Sequence, residues 1–360
     1  MTSTAPIAVA NIDSCKTPAE IRALRQRHPE MRERDFARIH GISEAELVAA
    51  QVGATAIRLT PDVGLLLGGL PDCGEVMALT RNESAVHEKI GPVEKVVTGP
   101  RNAMVLGAQI DLRIFPGRWA FGFAVQKPAE DGSVRRSLQF FDAQGMAVHK
   151  VHARPDTRLG AWDALVETMR HSEQGDSIVL TPRADAEPLG PPAGVDDLRA
   201  RWSSMTDTHQ FFGILRELNL PRLDALEMVG QDYAFPLGHE AVASLFETAV
   251  ATELPIMAFV GNHGCIQIHS GPISTVKTMG PWLNVMDETF HLHLRLDHVA
   301  AVWGVRKPTA DGHVTSVEVY DANRELIIQF FGKRQEGQDE RPGWRRLVEA
   351  LPLLDHTTAA

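Results

Sequence analysis

Cysteine is scarce in this chain, and what there is forms no framework: Cys15, Cys73 and Cys265 are odd in number, scattered, and in no CxxC. That excludes a disulfide scaffold and leads us to expect a reducing compartment. No uncharged apolar stretch approaches the roughly 18 residues of a helical membrane span. Residues 1–14 lack the basic region and apolar run of a secretory signal. There is no basic excess either. The net charge of −10 argues against a strong non-specific hold on nucleic acid or anionic membrane, though not against a local basic patch. GxGxxG, the P-loop, GxSxG and HExxH are all missing. These absences lead to the expectation of a soluble, cytoplasmic protein outside the common nucleotide-binding, hydrolase and zinc-protease classes.

What is present is a duplication. Asn82, Gly91–Pro92, Lys127–Pro128 and Asp131–Gly132 recur as Asn262, Gly271–Pro272, Lys307–Pro308 and Asp311–Gly312, each 180 positions later. One residue drops out before Phe141–Asp142 and Tyr320–Asp321. Both copies close alike, on Trp162 with Leu165-Val-Glu and on Trp344 with Leu347-Val-Glu. The 360 residues therefore divide into two homologous domains: 1–182, a Pro/Gly-rich linker at 183–195, and 196–360. Residues present in only one copy are not explained by the shared fold, so they are the candidates for function.

Each copy places helices first and strands after. Thr17-Pro18-Ala19-Glu20 and Ser43 with Glu46 are helix starts, the second a capping box, and residues 17–53 read as helices. From Ala56 to about Lys150, short apolar runs alternate with polar residues. Val105–Leu106, Ile110-Asp-Leu-Arg-Ile-Phe115 and Trp119–Val125 read as strands, with a hairpin at Asp131–Gly132 and a closing helix from Trp162 to Arg170. The order repeats as helices at 196–250, strands at 255–331 and a helix at 343–351. This predicts an α+β fold: two tandem homologous domains, each a large antiparallel sheet flanked by helices.

Met205–Leu218 reads as an amphipathic helix, with Asp207 and Gln210 as a capping-box variant and Phe211, Ile214, Leu215 and Leu218 as its apolar stripe. A second helix starts at Pro221 and ends at Gly230. His209 falls in the first turn, where the helix dipole disfavours the imidazolium and leaves a lone pair for a metal. The matching position in the first copy is near Arg32, so this histidine has no twin. The competing reading is a solvent-exposed or capping histidine, one of fifteen in the chain.

Six stretches carry a resemblance. They are Thr206-Asp-Thr-His209-Gln-Phe-Phe, Thr80-Arg-Asn82 with Ala85-Val-His87-Glu, Ile110-Asp-Leu-Arg113-Ile-Phe, Asn262-His-Gly-Cys-Ile-Gln-Ile-His269, Val305-Arg-Lys307-Pro-Thr with Asp311-Gly-His-Val-Thr315-Ser, and Ile328-Gln329-Phe-Phe331-Gly-Lys-Arg334. Over nearly its whole length the chain resembles the haemin-transport or haemin-degrading proteins of the HemS/ChuS type, from bacterial haem uptake. The resemblance implies haem as ligand, a cleft for it between the two domains, and His209 as the proximal iron ligand. It implies Arg113 on the opposite side of the haem, acting through water, and Arg222, Lys307, Gln329, Phe331 and Arg334 lining the second domain's side. It also implies a haem importer and a haem oxygenase as partners. One departure is visible: His291-Leu-His-Leu-Arg295 stands where Asn-Leu-His-Leu-Arg is expected. The chemistry agrees with the assignment, since haem needs apolar faces (Phe331, Phe211 and Phe212), cations at the propionate rim and an axial donor.

His291 and His293 share one face of a strand, as zinc and non-haem iron sites use. No third ligand has suitable spacing, and the alternating Leu292 and Leu294 make a polar outer face the better reading. Cys265 reads as core. Two functions of different class remain open: a carrier that receives haem and passes it on, and an enzyme that opens the porphyrin with oxygen and reductant.

Overall fold

The computed structural model describes residues 16–129, 131–182, 193–333 and 342–354. Cys15, most of the linker (183–192) and Arg334 lie outside the described residues. The chain opens with α1 (Pro18–Arg27), α2 (Glu33–His40) and α3 (Glu44–Ala49). Thr17–Glu20 and Ser43–Glu46 both close as reciprocal capping boxes. β1 (Ala56–Leu59) is followed by α4 (Val63–Gly69), a helix lying within the stretch whose pattern suggested strands. The Asp62 carboxylate starts it by accepting from the Leu65 N–H at 3.0 Å.

The remaining elements follow in the expected order with one exception: Ala234–Leu237, within the 196–250 stretch expected to be helical, is a strand and pairs with residues 302–305. β2 (Gly74–Arg81), β3 (Ala85–Pro92), β4 (Val96–Val97), β5 (Ala103–Leu106), β6 (Asp111–Ile114), β7 (Phe121–Pro128), β8 (Val134–Phe141) and β9 (Ala147–Thr157) lead to α5 (Leu159–Met169). The second copy has α6 (Val195–Ser203), α7 (Gln210–Glu217), α8 (Arg222–Val229), β10 (Ala234–Leu237) and α9 (Ala241–Ala251). Then come β11 (Ile256–Gly261), β12 (Cys265–Gly271), β13 (Val276–Met279), β14 (Trp282–Met286), β15 (Phe290–Arg295), β16 (Ala301–Thr309), β17 (Gly312–Tyr320), β18 (Leu326–Gly332) and α10 (Pro342–Glu349). The strands form two antiparallel sheets of nine strands each.

Two compact units result. Among the described residues, one holds those up to Val76, with Thr98–Ala103 and 115–182; the other holds Met77–Val97, Met104–Ile114 and those from 193 onward. In the first, α3 packs on β1 and β7 through Ala45, Val48, Ala56, Phe123 and Phe141. In the second, a complete sheet runs β10-β16-β17-β18-β11-β12-β6-β5-β4. Its last three strands come from the first sequence copy. The exchange is mutual, because β15 of the second copy pairs with β3 of the first. One face of the complete sheet is filled by α9 and α10 through Phe246, Phe330, Val317 and Trp344. The other face carries α6, α7 and α8 at one end, around Trp202, Phe211, Leu226 and Tyr320.

Within this unit the two copies meet around a local two-fold. The Asn82 amide donates to the Gly261 carbonyl at 3.2 Å and to the Ile327 carbonyl at 2.8 Å, while Asn262 donates to the Arg81 carbonyl at 2.9 Å. Each amide oxygen also closes its own turn, accepting from Ser84 and Ala85 in one copy and from Gly264 and Cys265 in the other. Such reciprocity is the mark of an isologous contact. Asn82→Ala strips partners from several partly buried backbone groups, so the expected loss is about 3 kcal/mol. A urea midpoint within error of the parent chain would refute it.

Candidate functional site

Strand register places most of the predicted residues on one sheet face. Glu318 in β17 pairs with Gln329, and Ser316 with Phe331, in β18. Gln329 pairs with Phe259, and Phe331 with Met257, in β11. Phe259 pairs with Ile268, and Gly261 with Ile266, in β12; Ile266 then pairs with Arg113 and Ile268 with Asp111 in β6. Directly opposed residues share a face. Arg113 therefore lies on the same face as Gln329 and Phe331, although the first sequence copy supplies it. Phe331, Phe259, Met257, Ile266 and Arg113 are all half-buried, so this end of the face is open and mixed apolar and cationic.

At the other end, helices cover the face. His209 is the residue just before α7, with φ −68° and ψ −21°. The helix begins later than its amphipathic pattern suggests because residues 206–210 bond among themselves. Asp207 Oδ1 accepts from the His209 N–H at 2.8 Å, and the Gln210 side chain accepts from the N–H groups of Thr206 and Asp207. The same Asp207 oxygen lies 2.7 Å from His209 Nδ1. A carboxylate on Nδ1 fixes the ring and presents Nε2 as the free donor, an arrangement common in metal-ligating histidines. The ring is 92% exposed. In the first copy the same position, just before α2, is held by Arg32.

Beneath the first turn of α7 lies a buried cation pair. Lys307 sits 4.6 Å from the Phe211 ring centroid, and the Arg222 guanidinium sits 5.0 Å from it. Phe211 itself is buried against Trp202, which corrects the expectation that it offers an open face; Phe212, 66% exposed, does. Arg222 and Lys307 are not solvated charges. Both bind Glu318, which is completely buried and which the sequence reading missed. Its signal was an acid alternating with valines in Val317-Glu-Val-Tyr320. Glu318 Oε1 accepts from Arg222 Nη2 at 2.6 Å, Lys307 Nζ at 2.7 Å, Gln329 Nε2 at 3.0 Å and Ser316 Oγ at 3.1 Å. Oε2 accepts from Arg222 Nε and from the Tyr320 hydroxyl, each at 2.7 Å.

Burial alone would neutralise this carboxylate, but Arg222 and Lys307 hold its pKa well below the usual range. Burial pushes the Lys307 ammonium down to about 8, with Glu318 resisting and Arg222 assisting. Arg113, half-buried, pairs with Asp111 and donates to the Leu112 carbonyl at 3.1 Å. His291 and His293 stand on another sheet, β15, facing Glu88 and Asn284 respectively, and join none of this. No cluster of three or more metal-ligating side chains occurs among the described residues, and none of their helices is long and apolar enough to cross a membrane.

The second unit thus carries an exposed, pre-oriented imidazole at the start of a helix that covers buried cations, and a half-buried apolar and cationic surface at the other end of the same sheet face. Comparison with known proteins gives it a context. A profile of the haemin-degrading HemS.ChuX domain matches residues 41–169 and again 219–351. The hemin transport protein HmuS of Yersinia pestis is 40% identical over 325 residues, spanning 90% of this chain and 94% of that protein. The solved structure of holo-PhuS, a heme-binding protein from Pseudomonas aeruginosa, is 43% identical, with a TM-score of 0.90 over 94% of this chain and all of that one. ChuS, described as an E. coli heme oxygenase, is 34% identical, with a TM-score of 0.85 over 92% of this chain and 99% of that one.

Proposed function

The chain belongs to the haemin-degrading HemS.ChuX domain family, and on that premise we propose that it is a cytoplasmic haem-binding protein that accepts imported haem and carries it toward iron release. The observation that carries this reading is His209, exposed, oriented by Asp207 and without a counterpart in the first copy. It would ligate the iron through Nε2. Phe331 and the neighbouring half-buried apolar residues would take the face of the macrocycle turned to the sheet, and Arg113, on that same sheet face, would act from the side opposite His209. Arg222 and Lys307, with Gln329 beside them, would supply positive charge for the propionate rim, and Arg334 would add to it. The residues present fit a flat, apolar dianion with one open coordination position. A haem importer would supply this cargo and a haem oxygenase would receive it.

Haem degradation by the chain itself is the second reading, favoured by the likeness to ChuS, described as a heme oxygenase. Bound haem supplies the redox centre for such chemistry; the chain's part would be to orient it and to leave one side open. The purified protein should bind one ferric haem per chain with the spectrum of a histidine-ligated site. Reduction in air, with catalase present to remove free peroxide, should leave that haem intact. Carbon monoxide and a linear tetrapyrrole among the products would establish the enzyme instead. Two equivalent haems per chain would overturn the assignment to His209.

A further inference from the structure

We infer that Glu318 is a positioning residue of the haem site proposed above: its carboxylate holds Lys307, Arg222 and Gln329 in one array on the ligand-facing side of the sheet, beneath α7 and α8. The inference rests on that reading of the site but goes beyond it, because Glu318 itself reaches no ligand. It accepts six hydrogen bonds from four elements, with Arg222 from α8, Lys307 from β16, Ser316 and Tyr320 from β17, and Gln329 from β18. A carboxylate removed from water survives as an anion only with such a set of donors. The converse also holds. Without it, two cations would share a buried site with no anion.

The register adds a second observation. Phe141–Asp142 aligns with Tyr320–Asp321, so Gln139 is the counterpart of Glu318 in the first copy. There the buried amide donates to the Ser137 hydroxyl at 3.0 Å and gathers no cations. The carboxylate and the axial histidine thus occur together, in the same copy and only there. With both cations charged, the array carries one net positive charge toward an anionic ligand. The ionisable groups acting on Lys307 are Glu318 from β17, itself bonded to the Tyr320 hydroxyl, and Arg222 from α8, while α7 presents the Phe211 ring. Burial lowers the ammonium to about 8, with Glu318 opposing that fall and Arg222 adding to it, so the charge is present at pH 7 and lost by pH 9.

The test is titration with haemin and with haemin dimethyl ester from pH 6.5 to 9, read at the Soret band. In the wild type, haemin affinity should fall about tenfold from pH 7 to pH 9 as the array loses its net positive charge. The ester, lacking carboxylates, should show no such step, and this removes any pH effect centred on the iron. In Glu318→Gln the step should vanish, because burial and Arg222 then act unopposed on Lys307 and lower its pKa further. Lys307→Met keeps the Arg222–Glu318 pair, and hence the fold, should Glu318→Gln prove too unstable to purify. It must lose the step as well. A step that persists in either folded variant, or that is absent from a wild type that binds haemin, overturns the role of Glu318. A wild type that binds no haemin at all removes the proposed function, and this inference with it.

Discussion

His209→Ala should change the Soret band of the ferric complex and weaken haem binding by on the order of a hundredfold, while His313→Ala should do neither. Partners one shell away from a metal are worth about 10–100-fold, and the ligand itself lies at or above the top of that range. The ring is free to coordinate because it is almost wholly exposed, and it is oriented because Asp207 occupies Nδ1. Asp207→Asn should therefore give a smaller change of the same kind, about tenfold. The loss at position 209 should not be made good from the first copy, whose matching position is Arg32. There the equivalent lysine, Lys127, pairs with Glu33, and Lys150 lies 3.6 Å from Glu44. An unchanged spectrum and affinity in His209→Ala would defeat the assignment, and His239 or His263 would become the next residues to test.

Acid should unfold this protein well above the carboxylate range. His149 in one unit and His269 in the other are buried, and burial lowers each pKa to about 3, assisted by His152 and by Lys89 respectively. His87 is also driven well down by burial, then by His269 and Lys89. The native state refuses these protons, whereas the unfolded chain takes them up at the ordinary value near 6.5. Their contribution is therefore fully present above about pH 6.5 and is lost as the pH falls below it. At pH 5 each of His149 and His269 should cost about 2 kcal/mol. His269 stacks on Phe290 at 3.8 Å and lies 3.4 Å from Lys89, so a proton there meets an existing cation and no carboxylate hydrogen bond. Urea midpoints at pH 7.5 and pH 5.0 should differ clearly in both units; equal midpoints would mean that water reaches these rings.

The parts of this architecture governed by local chemistry could be read from the sequence. Capping boxes at Thr17 and Ser43, hairpins at Asp131–Gly132 and Asp311–Gly312, and the duplication itself depend on residues close together in the chain or on a fixed offset. The alternation of His291 and His293 with buried leucines held as well. What escaped was set by distant partners. The helix α4 is announced only by Asp62, since Gly64-Leu-Leu-Leu-Gly-Gly lacks an amphipathic period. Glu318 looked like one acid in a strand, and only the folded sheet brings Arg222 to it across 96 positions. Phe211 and Phe212 are equally aromatic in sequence, yet the tilt of α7 on Trp202 buries one and leaves the other exposed.

The mutual exchange of strand trios has an ancestral implication. A single copy of this sequence unit, translated alone, would present β3 or β12 as an unsatisfied edge, and the complement would be the trio of a second copy. The simplest precursor is therefore a domain-swapped homodimer, whose assembly depended on the encounter of two chains. Covalent fusion made that encounter intramolecular and independent of concentration. It also broke an evolutionary constraint. In a homodimer any change at the site is made twice, but after fusion one copy could keep a histidine and a glutamate while the other took Arg32 and Gln139. The asymmetry at positions 209 and 318 is the freedom that fusion conferred.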